Sequence, residues 1–230
     1  MISRFDILHE DNDILVCIKP AGVAAGSEKS GAMDMLSMVL NYLARKDRSK
    51  APEAYLIHRL DKPVSGVIVF AKNKQAAAKL SAQFANHLCG KRYFCIVTDA
   101  REKEGTLVSY IREDKRSNVA SLTGSEDKEA KRAELVFKEL EEKEIDGKRC
   151  SLMDIELKTG RHHQIRLQMT EVSDGIYGDT KYNKAFGENK GFTQLALFSY
   201  ELTIKHPYTG KIMTFNAKPT QEIFGEFTAI

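Results

Sequence analysis

The nine residues His58-Arg59-Leu60-Asp61-Lys62-Pro63-Val64-Ser65-Gly66 join two apolar stretches and set one carboxylate among basic side chains. Ala54–Ile57 before them and Val67–Phe70 after them have the composition of strands. The chain must turn between these strands, because proline restricts φ and Ser65-Gly66 is typical of tight turns. We therefore expect Asp61 at a strand end on a braced loop, where catalytic groups are often held.

Asp61 has a simpler interpretation when the loop is considered alone, since turn aspartates commonly cap their own backbone. The interpretation changes when four further segments of the chain are considered together with this loop. They are Leu157-Lys158-Thr159-Gly160-Arg161-His162-His163-Gln164-Ile165-Arg166, Lys91-Arg92-Tyr93, Ile18-Lys19-Pro20-Ala21-Gly22 and His206-Pro207-Tyr208-Thr209-Gly210.

In order and spacing, these five segments resemble the RluA-type family of RNA pseudouridine synthases along nearly the full chain. The first is similar to the family's His-Arg-Leu-Asp followed two residues later by Thr-Ser-Gly. The segment ending at Arg166 is similar to its Thr-Gly-Arg-Thr/Ser-His-Gln-Ile/Leu-Arg pattern, and Lys91-Arg92-Tyr93 to its Lys-x-Tyr strand. This chain departs from the family at Val64, where threonine is usual, and at His162, where threonine or serine is usual.

The order of the predicted elements, strands and helices without regular βαβ alternation, favours an α+β fold with a largely antiparallel sheet. The resemblance implies the same fold: a mixed sheet flanked by helices and loops, with a central basic active-site cleft. A chain of 230 residues, 42% of them hydrophobic, can bury one sizeable core. We expect residues 1–230 to form a single catalytic domain without an S4-type RNA-binding module.

Hydrophobic periodicity and capping residues predict most of the regular elements. We expect Asn73 to cap a helix with the apolar stripe Ala77, Leu80, Phe84 and Leu88, which ends at a C′ glycine, Gly90. The charged segment 101–147 suggests hairpins with long polar connections. The remaining predictions are strands over 13–19, 91–98, 152–157, 192–205 and 211–217, and helices over 34–46 and 163–170, with Thr159-Gly160 at the start of the last helix.

The resemblance implies three catalytic residues. Asp61 is the reacting carboxylate, as a nucleophile at the ribose or as a base beside it, and the sequence leaves both routes open. A desolvated carboxylate needs a cation to stay ionised, and Arg166 matches the family's arginine, so we predict an Asp61–Arg166 ion pair. Tyr93 matches the tyrosine that stacks on the flipped base; without the motifs it would be interpreted as a core tyrosine.

A uridine stacked in RNA must be flipped out before its glycosidic bond can be reached. Arg59 matches the family's arginine that enters the RNA stack, although a surface phosphate contact explains it equally well. Ile165 is expected in the apolar floor of the site. The remaining predicted substrate-binding residues are His58, Lys91, Arg161, His163 and Gln164.

The reaction implied by the resemblance involves no redox change, so we expect no cofactor. We also expect no metal, because His162 and His163 would diverge by about 100° on a helix. Four scattered cysteines without a Cys-x-x-Cys pair indicate reduced thiols, and no apolar run approaches the length of a membrane span. These features predict a cytoplasmic protein, and the family default is a monomer.

The formal net charge of +3 is only mildly basic, but its distribution is uneven. Residues 203–219 carry three lysines and no acid, which is compatible with a face that follows phosphates. We expect structured RNA, a ribosomal or transfer RNA stem-loop, as the partner. The alternative is a catalytically silent paralogue that clamps RNA, and the motifs do not identify which RNA or uridine is the target.

Overall fold

The structure is a computed structural model that describes residues 5–26, 32–114, 116–187 and 194–230. The chain forms two compact units. The first unit contains Met1–Gly90 and Ser199–Ala217, and the second contains Lys91–Phe198 and Lys218–Ile230. Within the described ranges, no helix is long and apolar enough to cross a membrane.

The first unit is built on antiparallel strands around a fully buried central strand, β4. Its strands are β1 (Ile7–Glu10), β2 (Ile14–Lys19), β3 (Tyr55–Leu56), β4 (Ser65–Ala71), the part of β10 (Leu197–Lys205) from Ser199 onward, and β11 (Ile212–Asn216). β2 pairs with β1 and β4, β3 pairs with the end of β4, and β11 pairs with β10. Every residue of β4 is buried, which explains the uninterrupted apolar run that follows Ser65.

Two helices complete the first unit, as the sequence predicts, and each begins with a capping side chain, of which only Asn73 was predicted. α1 (Met35–Lys46) begins after Asp34, whose side chain accepts the N–H of Ser37. α2 (Lys74–Ala85) begins after Asn73, whose side chain accepts the N–H of Ala76. Such caps satisfy backbone donors that a helix start leaves without partners. The core of the unit combines both kinds of element: Ile14, Val16, Val67, Val69, Ala76, Leu80, Leu202 and Ile204.

The predicted end of α2 is wrong. The helix stops at Ala85, and Gly90 is the first residue of β5 and not a C′ glycine. The left-handed turn residue is His87, with φ of 56°. Leu88 therefore falls beyond the helix and is 71% exposed instead of completing the apolar stripe.

The second unit contains an antiparallel sheet of five strands. They are β5 (Gly90–Thr98), β6 (Glu104–Asp114), β7 (Val119–Thr123), β8 (Lys131–Ile145) and β9 (Lys148–Leu157), in the spatial order β5-β9-β8-β6-β7. α3 (Gln164–Val172) covers one face, where its Leu167 packs on Ile111 and Ala133. A short helix, α4 (Glu222–Gly225), lies near the end of the chain.

The charged segment 101–147 forms hairpins, as predicted, and residues 124–130 are a polar connection between β7 and β8. Most of the segment is strand: it supplies three strands, and β8 alone has fifteen residues. Alternation explains this length: Ala133, Leu135 and Phe137 are buried, whereas the residues between them lie nearer to solvent. The charged side chains of the segment therefore lie on the solvent-facing side of the sheet. The antiparallel sheets of both units, with their few helices, confirm the predicted α+β fold with a largely antiparallel sheet.

The tightest backbone contact beside the Asp61 loop is at Gly66, the second residue of β4. Gly66 has φ of 129°, and a Cβ built there would lie 2.2 Å from the carbonyl oxygen of Ser199. We expect Gly66→Ala to lower the free energy of unfolding by about 3 kcal/mol or more, because left-handed strain and overpacking add. Chemical denaturation of the purified protein measures this.

Gly22→Ala is the matched control. Gly22 also has a positive φ, 81°, but nothing lies within 4 Å of its built Cβ. It should therefore cost about 1 kcal/mol, from backbone strain alone. Equal losses in the two variants would contradict the steric explanation.

Candidate active site

Asp61 lies on a tight turn at the entrance to β4. Its carbonyl oxygen accepts the N–H of Val64 at 3.0 Å, which closes the turn over Lys62-Pro63. Leu60 is buried, Asp61 is half-buried, and Lys62 is exposed. Val64, the departure from the family pattern, is 2% exposed, so an apolar side chain suits its position.

A fully buried lysine holds the carbonyl oxygen of Lys62, the residue after Asp61. The ammonium of Lys19, at the end of β2, donates to the carbonyl oxygens of Pro20 at 2.9 Å, Val23 at 2.6 Å and Lys62 at 3.2 Å. The Lys62 oxygen also accepts the N–H of Gly22 at 2.8 Å. Since buried charges are stable only with such partners, Lys19 ties the Ile18–Gly22 segment to the Asp61 loop. Sequence reasoning noted that segment but assigned Lys19 no role.

His58 and Arg59 have different environments although they are neighbours. Nε2 of His58 accepts the N–H of Val69 at 3.2 Å, and its ring stacks on Phe84 of α2 at 4.6 Å. These contacts give His58 a positioning role at the start of the loop. Arg59 is exposed, and its guanidinium makes no hydrogen bond or ion pair with any residue that the structure describes. It is therefore accessible to an external ligand.

Tyr93 and Lys91 lie on β5, two residues apart, and so point to the same face of the second unit's sheet. Tyr93 is buried and lies opposite Ile155 of β9, which in turn lies opposite Phe137 of β8. Lys91 is also buried, and its ammonium donates to the carbonyl oxygen of Thr159 at 3.3 Å. α3 covers this same face, so Tyr93, Lys91 and the Arg166 segment share one side of the sheet.

The segment from Thr159 to His163 is a turn and not the start of a helix. α3 begins at Gln164 and continues to Val172, two residues beyond the predicted end. His163 precedes it in the left-handed conformation, with φ of 53°. The prediction that Thr159-Gly160 presents N–H groups at a helix start is wrong, because the Thr159 N–H already bonds to the Glu134 carbonyl oxygen.

Gln164 is buried, and its amide makes all four hydrogen bonds that an amide can make. Its nitrogen donates to the Glu134 carbonyl oxygen at 3.1 Å and to Gln168 Oε1 at 2.9 Å. Its oxygen accepts the Thr159 hydroxyl at 2.7 Å and the Arg161 N–H at 3.0 Å. No donor or acceptor of this side chain remains for a substrate, so the geometry gives Gln164 a positioning role in place of the predicted substrate contact.

Arg161 is half-buried, and its Nε donates to the carbonyl oxygen of Arg132 on β8 at 2.9 Å. One edge of its guanidinium is thus held by the sheet. The remaining donors of this guanidinium are compatible with the predicted substrate contact.

His162 and His163 form a stacked pair, with ring centroids 3.8 Å apart. Because they lie in the turn before α3, the predicted divergence of two helical neighbours does not apply to them. Nδ1 of His163 hydrogen bonds to the hydroxyl of Tyr182 at 2.8 Å. Burial, with smaller contributions from Arg166, His162 and Lys181, lowers the pKa of His163 to about 2. His163 is therefore neutral at physiological pH.

Arg166 makes a buried bidentate ion pair with Asp179. Nε donates to Oδ2 at 2.8 Å and Nη2 donates to Oδ1 at 2.7 Å. Arg166 is 4% exposed and Asp179 is fully buried. Sequence reasoning assigned no role to Asp179, which lies in a glycine-rich loop thirteen residues from Arg166. The pair engages two of the five N–H donors of the guanidinium, and the predicted Asp61–Arg166 pair stays a prediction.

Ile165, the residue before Arg166, is buried on α3. The predicted site residues thus fall into two groups, one in each compact unit. His58, Arg59 and Asp61 belong to the first unit, and the others belong to the second.

Comparison with known proteins identifies relatives along nearly the whole chain. Residues 13–171 match the family model described as RNA pseudouridylate synthase. The tRNA pseudouridine synthase C of Vibrio vulnificus (strain CMCP6) is 30% identical over 240 residues, which cover 96% of this chain and 95% of the relative. The ribosomal large subunit pseudouridine synthase D of Zymomonas mobilis is 30% identical over 232 residues, which cover 95% and 70%.

The fold is also similar to that of a solved structure, human RNA pseudouridylate synthase domain containing 4. The two superimpose with a TM-score of 0.76 at 22% identity, over 94% of this chain and 89% of the human one. At that identity the likeness concerns the fold alone. It agrees with the α+β architecture described above.

The buried, neutral His163 predicts how stability depends on pH. The pKa of its imidazole is about 2 in the folded protein and 6.5 in a model peptide, so the unfolded chain binds the extra proton between these values. Stability is therefore lost as the pH falls below 6.5. From pH 7 to pH 5, His163 should remove about 2 kcal/mol of folding free energy.

The His163→Gln variant lacks this titratable group. Comparing it with the wild-type protein therefore isolates the contribution of His163 protonation to stability. Urea unfolding at pH 7 and pH 5 should show that the stability advantage of the wild-type protein narrows by about 2 kcal/mol at the lower pH. Going no lower than pH 5 limits the contribution of carboxylates to the comparison. Glu10 is an example: burial raises the pKa of its carboxyl, but hydrogen bonds from Lys46 and Lys72 outweigh burial and lower the pKa to about 2. Parallel stability curves for the two proteins would refute a neutral, buried His163.

Proposed function

The chain belongs to the RNA pseudouridylate synthase family and is an RNA pseudouridine synthase, and from this premise we propose that Asp61 is its reacting carboxylate. The observation that carries the proposal is the placement of Asp61 on a turn braced from both sides. The Asp61 carbonyl accepts the Val64 N–H, and the buried Lys19 ammonium holds the next carbonyl, that of Lys62. Such bracing holds a reacting group in one orientation, which is what positioned catalysis requires.

The proposed substrate is a uridine in a transfer or ribosomal RNA, within a stem-loop. Support comes from the relatives: one is named for tRNA and the other for the ribosomal large subunit, and the chain covers most of both. Both relatives are bacterial, and bacterial RNA lies in the cytoplasm, which supports the predicted cytoplasmic location. We also propose that the enzyme acts as a monomer.

The reaction exchanges one bond of the uracil for another. The bond from C1′ of the ribose to N1 of the uracil breaks, the base turns, and C5 bonds to C1′. The proton on C5 is released and N1 gains one, so no electrons enter or leave. Asp61 serves as nucleophile at C1′ or as base beside it, and Tyr93 is proposed to stack on the flipped base and to take or give a proton.

Asp61 must be ionised for either role, although its surroundings remove it partly from water. We propose that Arg166 supplies the opposing charge. A guanidinium can serve two carboxylates at once because its five donors point along two edges of one plane. The pair with Asp179 engages one edge of Arg166, which is compatible with a second carboxylate at the other.

Access to the glycosidic bond requires that the target base leave the RNA stack. We propose that Arg59 fills the gap. Its guanidinium is exposed and makes no hydrogen bond or ion pair with the described part of the chain, and a planar cation suits insertion between bases. The buried Ile165 is proposed to form part of the apolar floor beneath the flipped uracil.

A patch on the first unit is proposed to bind RNA away from the target uridine. It consists of Lys79 on α2 and of Lys205, Tyr208 and Lys211 at the turn between β10 and β11. Tyr208 is 74% exposed, and the Lys79 ammonium lies 5.5 Å from its ring centroid. Residues 72–90 and 202–217, which supply the patch, contain no acidic residue. An exposed aromatic ring among lysines fits the bases and phosphates of RNA.

His206 holds the patch rigidly on the sheet. Its Nδ1 accepts the N–H groups of Tyr208 and Thr209, so Nε2 carries the proton and donates to Asp11 Oδ2 at 3.1 Å. With both ring nitrogens engaged, His206 is poorly suited to bind a metal, although Asp11 and Asp13 are nearby.

The patch lies far from Asp61. Asp11, which His206 contacts, lies in the turn before β2, whose first residue, Ile14, pairs with the last residue of β4. The seven residues of β4 therefore separate the patch from Asp61 by about 20 Å.

Asp61→Asn tests the reacting carboxylate. The variant keeps the shape of the side chain but is neither a nucleophile nor a base, so tritium release from C5-labelled uridine in tRNA and rRNA transcripts should fall by more than about 1,000-fold. RNA affinity should stay within about threefold of the wild-type value. Asp47→Asn, at an exposed position after α1, is the matched control and should keep full activity. Tritium release at the wild-type rate by the Asp61→Asn variant would contradict the assignment of Asp61 as the reacting carboxylate.

Variants of the patch test the RNA surface. Lys211→Ala should weaken RNA binding and reduce the slope of log K against log salt by about 1, the loss of one phosphate contact. Tyr208→Ala should weaken binding by about 10-fold through lost stacking. Both should react at the wild-type single-turnover rate when RNA is saturating, because the patch lies far from Asp61.

Lys50→Ala is the matched control for the patch variants, because Lys50 is an exposed lysine of the same unit outside the patch. It should leave RNA affinity and its salt dependence unchanged. If Lys50→Ala and Lys211→Ala weaken binding equally, the lysines act only through overall charge and the proposed patch is wrong.

A further inference from the structure

We infer that Asp179 is a positioning residue for the isomerisation, which acts by fixing the plane of the Arg166 guanidinium. The inference rests on the role proposed above for Arg166. It starts from the two short hydrogen bonds of the pair, 2.8 Å and 2.7 Å, between side chains that are almost completely buried. Two parallel bonds define a plane and a direction, whereas one bond would leave the guanidinium free to rotate.

Tyr182 constrains the same guanidinium from a second direction. The central carbon of the Arg166 guanidinium lies 5.2 Å from the Tyr182 ring centroid, within the range of a cation–π contact. The Tyr182 hydroxyl in turn accepts the Ala120 N–H at 2.8 Å and bonds to Nδ1 of His163. The ring is thus fixed to the sheet and to the turn before α3, so it supports the guanidinium from a rigid base.

Asp179 is itself held by the backbone around it. Its Oδ1 accepts the N–H groups of Lys181 at 2.9 Å and Tyr182 at 3.2 Å, in addition to the Arg166 donor. Its own N–H donates to the Ile176 carbonyl oxygen at 3.1 Å, and its carbonyl accepts the Asn183 N–H at 3.1 Å. The carboxylate cannot move without breaking several of these bonds, so it transmits the geometry of the loop to Arg166.

Stability alone does not explain this arrangement. A buried ion pair is no more stabilising on average than well-packed apolar side chains of the same volume. The Asp179 charge also offsets part of the positive charge with which Arg166 would keep a reacting carboxylate ionised. Orientation is the benefit that remains: with one edge bound to Asp179, the edge that carries Nη1 points in one fixed direction.

Asp179→Asn is the direct test. An asparagine can accept only one of the two bonds, and its amide N–H groups repel the second donor. We expect the single-turnover rate at saturating RNA to fall by about 100-fold, as for misplacement of a group by about 1 Å, while RNA affinity stays within about threefold. Asp174→Asn is the matched control, because Asp174 lies in the same loop as Asp179 but forms an exposed ion pair, with Arg101. The single-turnover rate of this variant should equal that of the wild-type protein.

The pH dependence of that rate separates positioning from charge tuning. If Asp179 orients Arg166, its loss leaves the reacting carboxylate less well stabilised, and the acid limb of the profile moves to higher pH. If Asp179 merely offsets charge, its loss strengthens Arg166 and the acid limb moves to lower pH with little change in the plateau rate. The second outcome, or a plateau within about threefold of wild type, would overturn the inference.

A double-mutant cycle with Arg166→Lys shows whether Asp179 acts through Arg166. Lysine cannot form the planar bidentate pair, so in that background Asp179→Asn should change the rate by less than about threefold. A further loss as large as in the wild-type background would mean that Asp179 acts by another route. If Arg166→Lys alone has wild-type activity, the role proposed for Arg166 fails, and that failure is distinguishable from an error about Asp179.

Asp179→Glu provides a second variant in case Asp179→Asn does not fold. It keeps the charge and the pair but is one methylene longer, so it displaces the guanidinium without removing its partner. Its rate should also fall, by about 10-fold or more, while thermal unfolding shows a folded protein. A folded Asp179→Glu protein with the wild-type rate would overturn the inference.

Discussion

The carbonyl oxygen of Lys62 is the point on which the geometry of the Asp61 loop depends. It accepts the Gly22 N–H and the buried ammonium of Lys19, so the segment after β2 and the turn before β4 are held together at the residue after Asp61. A lysine in this position is costly to bury and is stable only because three carbonyl oxygens surround it. Gly66 then allows β4 to pass close to the Ser199 backbone.

The second unit uses the same strategy with different groups. Polar side chains of the motifs, such as those of Gln164 and Arg166, are held by other buried polar groups, because a buried polar group without a hydrogen-bond partner costs free energy. Gln164 is bonded on all four sides, and Gln168 continues the network to the hydroxyl of Ser109 at 2.9 Å. This network anchors α3 to the sheet, so Arg166 on that helix has a defined position.

The motif residues therefore divide into those whose side chains are exposed and those whose side chains hold other parts of the protein in place. Arg59 is exposed and has no partner in the described part of the chain, whereas His58 and Gln164 are occupied by protein contacts. The two residues that depart from the family pattern, Val64 and His162, both make contacts within the protein. Val64 is buried, and His162 replaces a small hydroxyl residue with a ring that stacks on His163.

By itself, the sequence determined the family, the α+β class, the two helices of the first unit and the strands around Asp61, because motifs, the cap at Asn73 and hydrophobic periodicity are local signals. Only the tertiary structure decided which polar groups meet. Lys19 reaches a carbonyl 43 residues away, and Asp179 meets Arg166 from a loop that local periodicity does not connect to α3. The end of α2 at Ala85, before the left-handed His87, was also decided there, since a left-handed residue other than glycine has no strong sequence signature.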